Sequence, residues 1–145
     1  MKTLADLFSL IELVISPGFD LAAAEKRIGP FDCWLGERAR FKSRDPSLDD
    51  PMVETLSGEV RGLQTRLSAP LRVEWAGIEL ALGQPVDEFV EVDDFWGPTV
   101  YQFARAPSGS PAMIMLEARR AAGDAQISAV IVRHKRAPRP RVATP

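Results

Sequence analysis

The sequence predicts an α+β domain, with an N-terminal helical hairpin and a further helix packed on an antiparallel sheet. Three observations predict it. Apolar residues recur at helical spacing over 4–15, three strand-like runs separated by turn formers fill the C-terminal third, and a 46% hydrophobic, 26% charged composition is globular. A chain of 145 residues suits a single domain over 1–136, or two halves at 1–68 and 69–136 sharing one core.

In the first helix Leu4, Leu7, Phe8, Ile11, Val14 and Ile15 form the buried stripe, while Asp6 and Glu12 face water. Thr3 offers an N-cap hydroxyl, and Ser16-Pro17-Gly18 stops the helix. A shorter helix follows, with Asp20 as N-cap, Leu21, Ala24 and Ile28 as its stripe, and Gly29-Pro30 as its end. So short a connection predicts a helical hairpin. Residues 33–43 supply one or two strands, and 44–52, rich in Asp, Pro and Ser, read as a loop. Residues 56–67 alternate crudely and read as one strand bulged at Gly62.

Residues 71–83 fit two periods. Leu71, Val73 and Trp75 alternate as in a strand, whereas Leu71, Trp75, Ile78 and Leu82 fall on one helical face ending at Gly83 with Pro85 beyond. The well-formed stop favours the helix. The segments 20–30 and 75–85 then echo each other, each a short helix closed by Gly and a nearby Pro, which suits a duplicated helix-plus-sheet module. Residues 99–105, 111–120 and 125–135 form a three-stranded meander. Beyond it, 137–145 has three prolines and no apolar periodicity, and reads as a disordered basic tail.

Net charge is −2, so composition does not point to nucleic acid or an anionic membrane as partner. The charge is unevenly spread, however: Arg133, Lys135, Arg136, Arg139 and Arg141 crowd the end, and the remaining chain carries −7. One cysteine, Cys33, excludes an intrachain disulfide and a cysteine-only zinc site. Asp6 and Glu12 interrupt the N-terminal apolar stretch, so it does not read as a signal peptide, and a cytoplasmic location is expected. No run of about 20 uncharged residues is available to span a bilayer.

The segment Asp87–Gly97 is the most unusual. Asp87, Glu88, Glu91, Asp93 and Asp94 are interleaved with Phe89, Phe95 and Trp96. Apolar residues separate the acids and Gly97 comes too late for a calcium loop, while the only histidine, His134, is far along the chain, so no metal is expected. Five acids in eight residues mostly face water and do not offer the buried, protonated partner that general acid catalysis requires. No nucleophile elbow, Walker loop or dinucleotide glycine pattern occurs. The leading expectation is therefore a non-catalytic protein-binding protein without cofactor. Its face is Asp87, Glu88, Phe89, Glu91, Asp93, Asp94, Phe95 and Trp96, turned toward a basic partner such as the target of an immunity or inhibitor protein. The alternative is a small-molecule-binding domain or enzyme with an apolar pocket lined by Trp75, Tyr101, Phe103, Arg105, Met113 and Met115. A homodimer through an exposed strand edge is a third reading.

Overall fold

The computed structural model describes residues 1–90 and 98–134. Glu91, Asp93, Asp94, Phe95 and Trp96 of the acidic segment, and the tail 137–145, lie outside the described residues. The chain forms α1 (Leu4–Ile15), α2 (Leu21–Arg27), β1 (Phe31–Leu35), β2 (Arg38–Phe41), β3 (Leu48–Leu56), β4 (Glu59–Glu74), α3 (Trp75–Leu82), β5 (Asp87–Val90), β6 (Thr99–Arg105), β7 (Pro111–Ala121) and β8 (Asp124–His134).

The helices start and stop where side-chain chemistry dictates. Thr3 and Asp6 form a reciprocal capping box at the start of α1, and the Asp20 carboxylate accepts from the Ala23 N–H at 2.7 Å at the start of α2. The far end of α2 is tied down from outside the helix. The Arg44 guanidinium donates to the carbonyls of Glu25 and Lys26, satisfying acceptors that the helix leaves unpaired.

All eight strands join one antiparallel sheet in the order β1-β2-β3-β4-β8-β7-β6-β5. Two four-stranded meanders thus meet where the last strand of each, β4 and β8, pair at the centre. α2 precedes the first meander and α3 the second. Helix α1 packs on β4 and β8, and α3 on β4 and β6. One face of the sheet is consequently the core wall: Ala39, Val53, Leu63, Thr65, Val130, Val132, Ile114, Leu116, Tyr101 and Phe103 are buried on it, and Leu7, Ile11 and Val14 of α1 are buried in the same core. By alternation the other face carries Met52, Glu54, Gln64, Ile131, Arg133, Met113 and Met115, all half-buried.

Several boundaries differ from the sequence reading. Residues 56–67 are not one strand, because Ser57 and Gly58 take positive φ (52° and 81°) and turn β3 into β4. The expected bulge at Gly62 falls one residue earlier, leaving Arg61 without a partner between Val60 and Gly62. The stretch read as a loop at 44–52 forms the start of β3 from Leu48, with a register shift that accommodates Pro51, which has no N–H to donate. Residues 71–83 obey both periods in turn: Leu71 and Val73 continue β4, and Trp75, Ile78 and Leu82 face inward on α3. β4 runs through residues 68 and 69 to Glu74, and α3 begins directly at Trp75. No helix among the described residues is long and apolar enough to cross a membrane.

Candidate functional site

The described part of the acidic segment lies on β5, the outermost strand. Asp87, Glu88, Phe89 and Val90 pair with Gln102, Tyr101, Val100 and Thr99 on one side, and all four are exposed. Alternation places Asp87 and Phe89 on the helix-free face of the sheet, and Glu88 and Val90 on the face lined with helices. Carboxylates therefore flank the edge on both faces, and Val86, 61% exposed, extends its apolar row.

The opposite edge, β1, is equally bare. Among the described residues seven large apolar side chains are exposed, and five of them lie on the two edge strands: Phe31, Trp34, Leu35, Phe89 and Val90. Sheet edges are ordinarily guarded by charge, proline or brevity, because unpaired backbone groups recruit other strands. Here brevity is the main guard, β1 and β5 being five and four residues long. On β1, Phe31 packs on Trp34 and Phe41, at 5.8 and 5.9 Å between centroids. The sequence reading passed over this cluster, although Phe31, Trp34 and Leu35 around a Gly36-Glu37 turn are a readable hairpin signal.

The alternative pocket residues do not converge. Trp75, Tyr101 and Phe103 are buried together on the helix side, the Trp75 ring tilted against Tyr101 and Phe103 with centroids 4.6 and 6.0 Å away. The Trp75 indole N–H donates to Glu79 at 2.6 Å, and the Arg120 guanidinium lies 4.2 Å over the Trp75 ring. Met113 and Met115 point to the opposite face, since Ile114 and Leu116, which alternate with them, are the residues that pair with Phe103 and Tyr101. Arg105 is exposed beside Gly83. The thickness of the sheet separates the two groups.

A third arrangement was invisible to local reading. Arg38, Glu54, Gly62, Arg133 and Met113 form one row across β2, β3, β4, β8 and β7. Because Gly62 has no side chain, Arg133 reaches across β4 and grips Glu54 through two hydrogen bonds, Nε to Oε2 at 2.8 Å and Nη2 to Oε1 at 3.1 Å. The Glu54 hydrogen bonds raise the Arg133 pKa above its ordinary value, and the Glu54 side chain is only 13% exposed. Beside this pair a groove of about 340 Å³ opens, lined by Glu37, Arg38, Arg61, Leu56 and His134. Among the described residues no three His, Cys, Asp or Glu side chains gather as metal ligands.

No known protein family, curated protein or solved structure matches this chain. The site therefore rests on its own chemistry.

One ion pair bears on stability. The Met1 ammonium, then Ser47, donate to Asp45 and hold its carboxyl at about 2, below the ordinary 3.8. A carboxylate depressed in the folded state stabilises above its unfolded pKa, and that contribution disappears as pH falls from about 4 toward 2. With the Asp45 side chain 44% exposed, water screens the pair to under about 1 kcal/mol. Unfolding free energies measured between pH 5 and 2 should fall more steeply for the natural chain than for Asp45→Asn. Superimposable profiles would remove this role.

Proposed function

We propose that this chain is a non-catalytic protein-binding protein, and that its contact surface is the acidic, apolar β5 edge together with the acids and aromatics that follow it in sequence. The observation that carries the reading is the exposure of Val86 and of all four residues of β5, a strand that among the described residues is paired on one side only. Such an edge offers a partner unpaired backbone groups, the apolar side chains of Val86, Phe89 and Val90 as anchors, and the carboxylates of Asp87 and Glu88 as steering charge. The most concrete form is an immunity or inhibitor protein of the bacterial cytoplasm covering a basic site, where carboxylates take the place of substrate phosphates. The burial of Trp75, Tyr101 and Phe103 in one packed cluster, away from Met113 and Met115, counts against the pocket alternative.

The arrangement of the chain also favours a duplicated module. Each half is a short helix followed by a four-stranded meander, and the halves join through equivalent last strands. Helix α1 would then be an addition that covers the central β4–β8 seam.

Steering by carboxylates sets association rate and its salt dependence more than the final contact energy. Changing Asp87, Glu88, Asp93 and Asp94 together to Asn or Gln should slow partner association about tenfold at low salt and flatten its dependence on ionic strength. An association rate indifferent to the change, at every ionic strength, would remove the proposal.

A further inference from the structure

We propose that the groove between the ends of β2, β3, β4 and β8 binds the phosphoryl group of a small phosphate monoester. The inference shares no residue with the β5 edge and does not depend on the partner-binding reading.

Three guanidinium groups, those of Arg38, Arg61 and Arg133, line this groove. In direct cross-strand register Arg38 faces Glu54, its natural neutralising partner. Both Glu54 oxygens are already taken by Arg133, which approaches over the bare backbone of Gly62. Glu54 is thus spent two strands away, and among the described residues no carboxylate lies within 4.0 Å of the Arg38 or Arg61 nitrogens. The bulge that leaves Arg61 unpaired in the ladder brings a second free guanidinium to the same end of the sheet. Arg133 spends two of its five N–H donors on Glu54, and the other three remain.

His134 reaches the rim of the groove, but its pairing with Ala112 places its side chain on the helix-lined face, where it also borders a second pocket with Phe19 and Val60. Glu37 is the one carboxylate left to oppose an anion. The Thr55 hydroxyl is not available, because it donates to the Glu37 carbonyl at 2.8 Å.

Planar guanidinium forks match the oxygens of a phosphoryl group, and two unpaired ones balance its two charges, where a carboxylate brings only one. The volume, near the lower end of small-molecule sites, holds a phosphoryl group and a short organic remainder, with Leu56 as the apolar contact for the latter.

The test is a titration of the full chain with inorganic phosphate and, separately, phenyl phosphate, followed by amide chemical shifts and calorimetry, with acetate and chloride at matched ionic strength as controls. Saturable shifts should centre on residues 37, 38, 54–56, 61, 133 and 134, with phenyl phosphate the tighter ligand. Arg38→Gln combined with Arg61→Gln should weaken both phosphates about tenfold or more, the scale of losing charge-assisted hydrogen bonds, while its thermal midpoint confirms the fold. Arg72→Gln combined with Arg119→Gln, on exposed arginines outside the groove, should leave affinity unchanged. Shifts that never saturate, acetate binding as tightly as phosphate, or equal affinity in the Arg38/Arg61 variant would each overturn the proposal. Inorganic phosphate binding more tightly than phenyl phosphate would exclude the monoester and leave a site for the free ion.

Discussion

Replacing Gly62 by alanine is expected to lower the unfolding free energy by about 3 kcal/mol or more, a large fraction of a small domain's stability. A Cβ built there would stand 1.9 Å from the Val132 carbonyl oxygen and 2.9 Å from the Arg133 Cα. Both obstacles are backbone of β8, so no side chain can swing aside. The chain must open the central β4–β8 ladder at the residue where β4 is already bulged against β3. The added methyl also intrudes on the row in which Arg133 crosses β4 to Glu54, and a displaced pair leaves two ionised groups poorly satisfied. Gly18→Ala is the matching control, since a Cβ at Gly18 meets nothing within 4 Å, and a shift within about 0.5 kcal/mol is expected. Urea denaturation of the two variants separates close backbone approach from a general glycine effect. Equal midpoints would contradict the geometry.

Phe103→Ala should cost about 3–5 kcal/mol, because its ring is fully buried beneath α3 and its removal leaves a cavity beside Trp75 and Tyr101. Phe89→Ala, on a ring 41% exposed at the β5 edge, should change stability by less than about 1 kcal/mol and weaken partner binding instead. The pair separates the two uses of aromatic residues in this chain. Thermal or urea unfolding reads the first effect and partner affinity the second. If Phe89→Ala destabilised as strongly as Phe103→Ala, Phe89 would belong to the core and the edge would lose its apolar anchor.

Helix α1 has the expected bounds because its stripe, its Thr3 cap and its Pro17 stop all act within a few residues. The C-terminal meander was legible for the same reason, its turns being marked by Ser108-Gly109 and Ala122-Gly123. Residues 71–83 gave two answers because Trp75 stands at the joint, completing the strand alternation of Leu71 and Val73 while opening the helical stripe of Ile78 and Leu82. Turn-forming residues hid the start of β3, where pairing with β4 from Leu48↔Leu67 overrides the local preference of Asp49, Asp50 and Pro51.

The candidate sites divide along the same line. Exposure of Asp87 and Glu88 follows from charge alone, and the sequence reading placed both outside. The separation of Met113 and Met115 from Phe103 needed only the two-residue period of β7, yet which face holds the helices depends on sheet order. The Glu54–Arg133 pair joins residues 79 apart in sequence through a β4–β8 pairing that no local pattern announces. The arginine groove could not be found before that pairing was known.

The claim on which the functional account turns is that partners are met at the β5 edge. Hydrogen exchange of the full chain, alone and bound to its partner, tests this most directly, because an added strand protects the outer amides of the strand it joins. The account predicts new protection at residues 86–90 with little change at 31–41. Protection gathered instead on β1 around Phe31, Trp34 and Leu35, with 86–90 still exchanging freely, would contradict it.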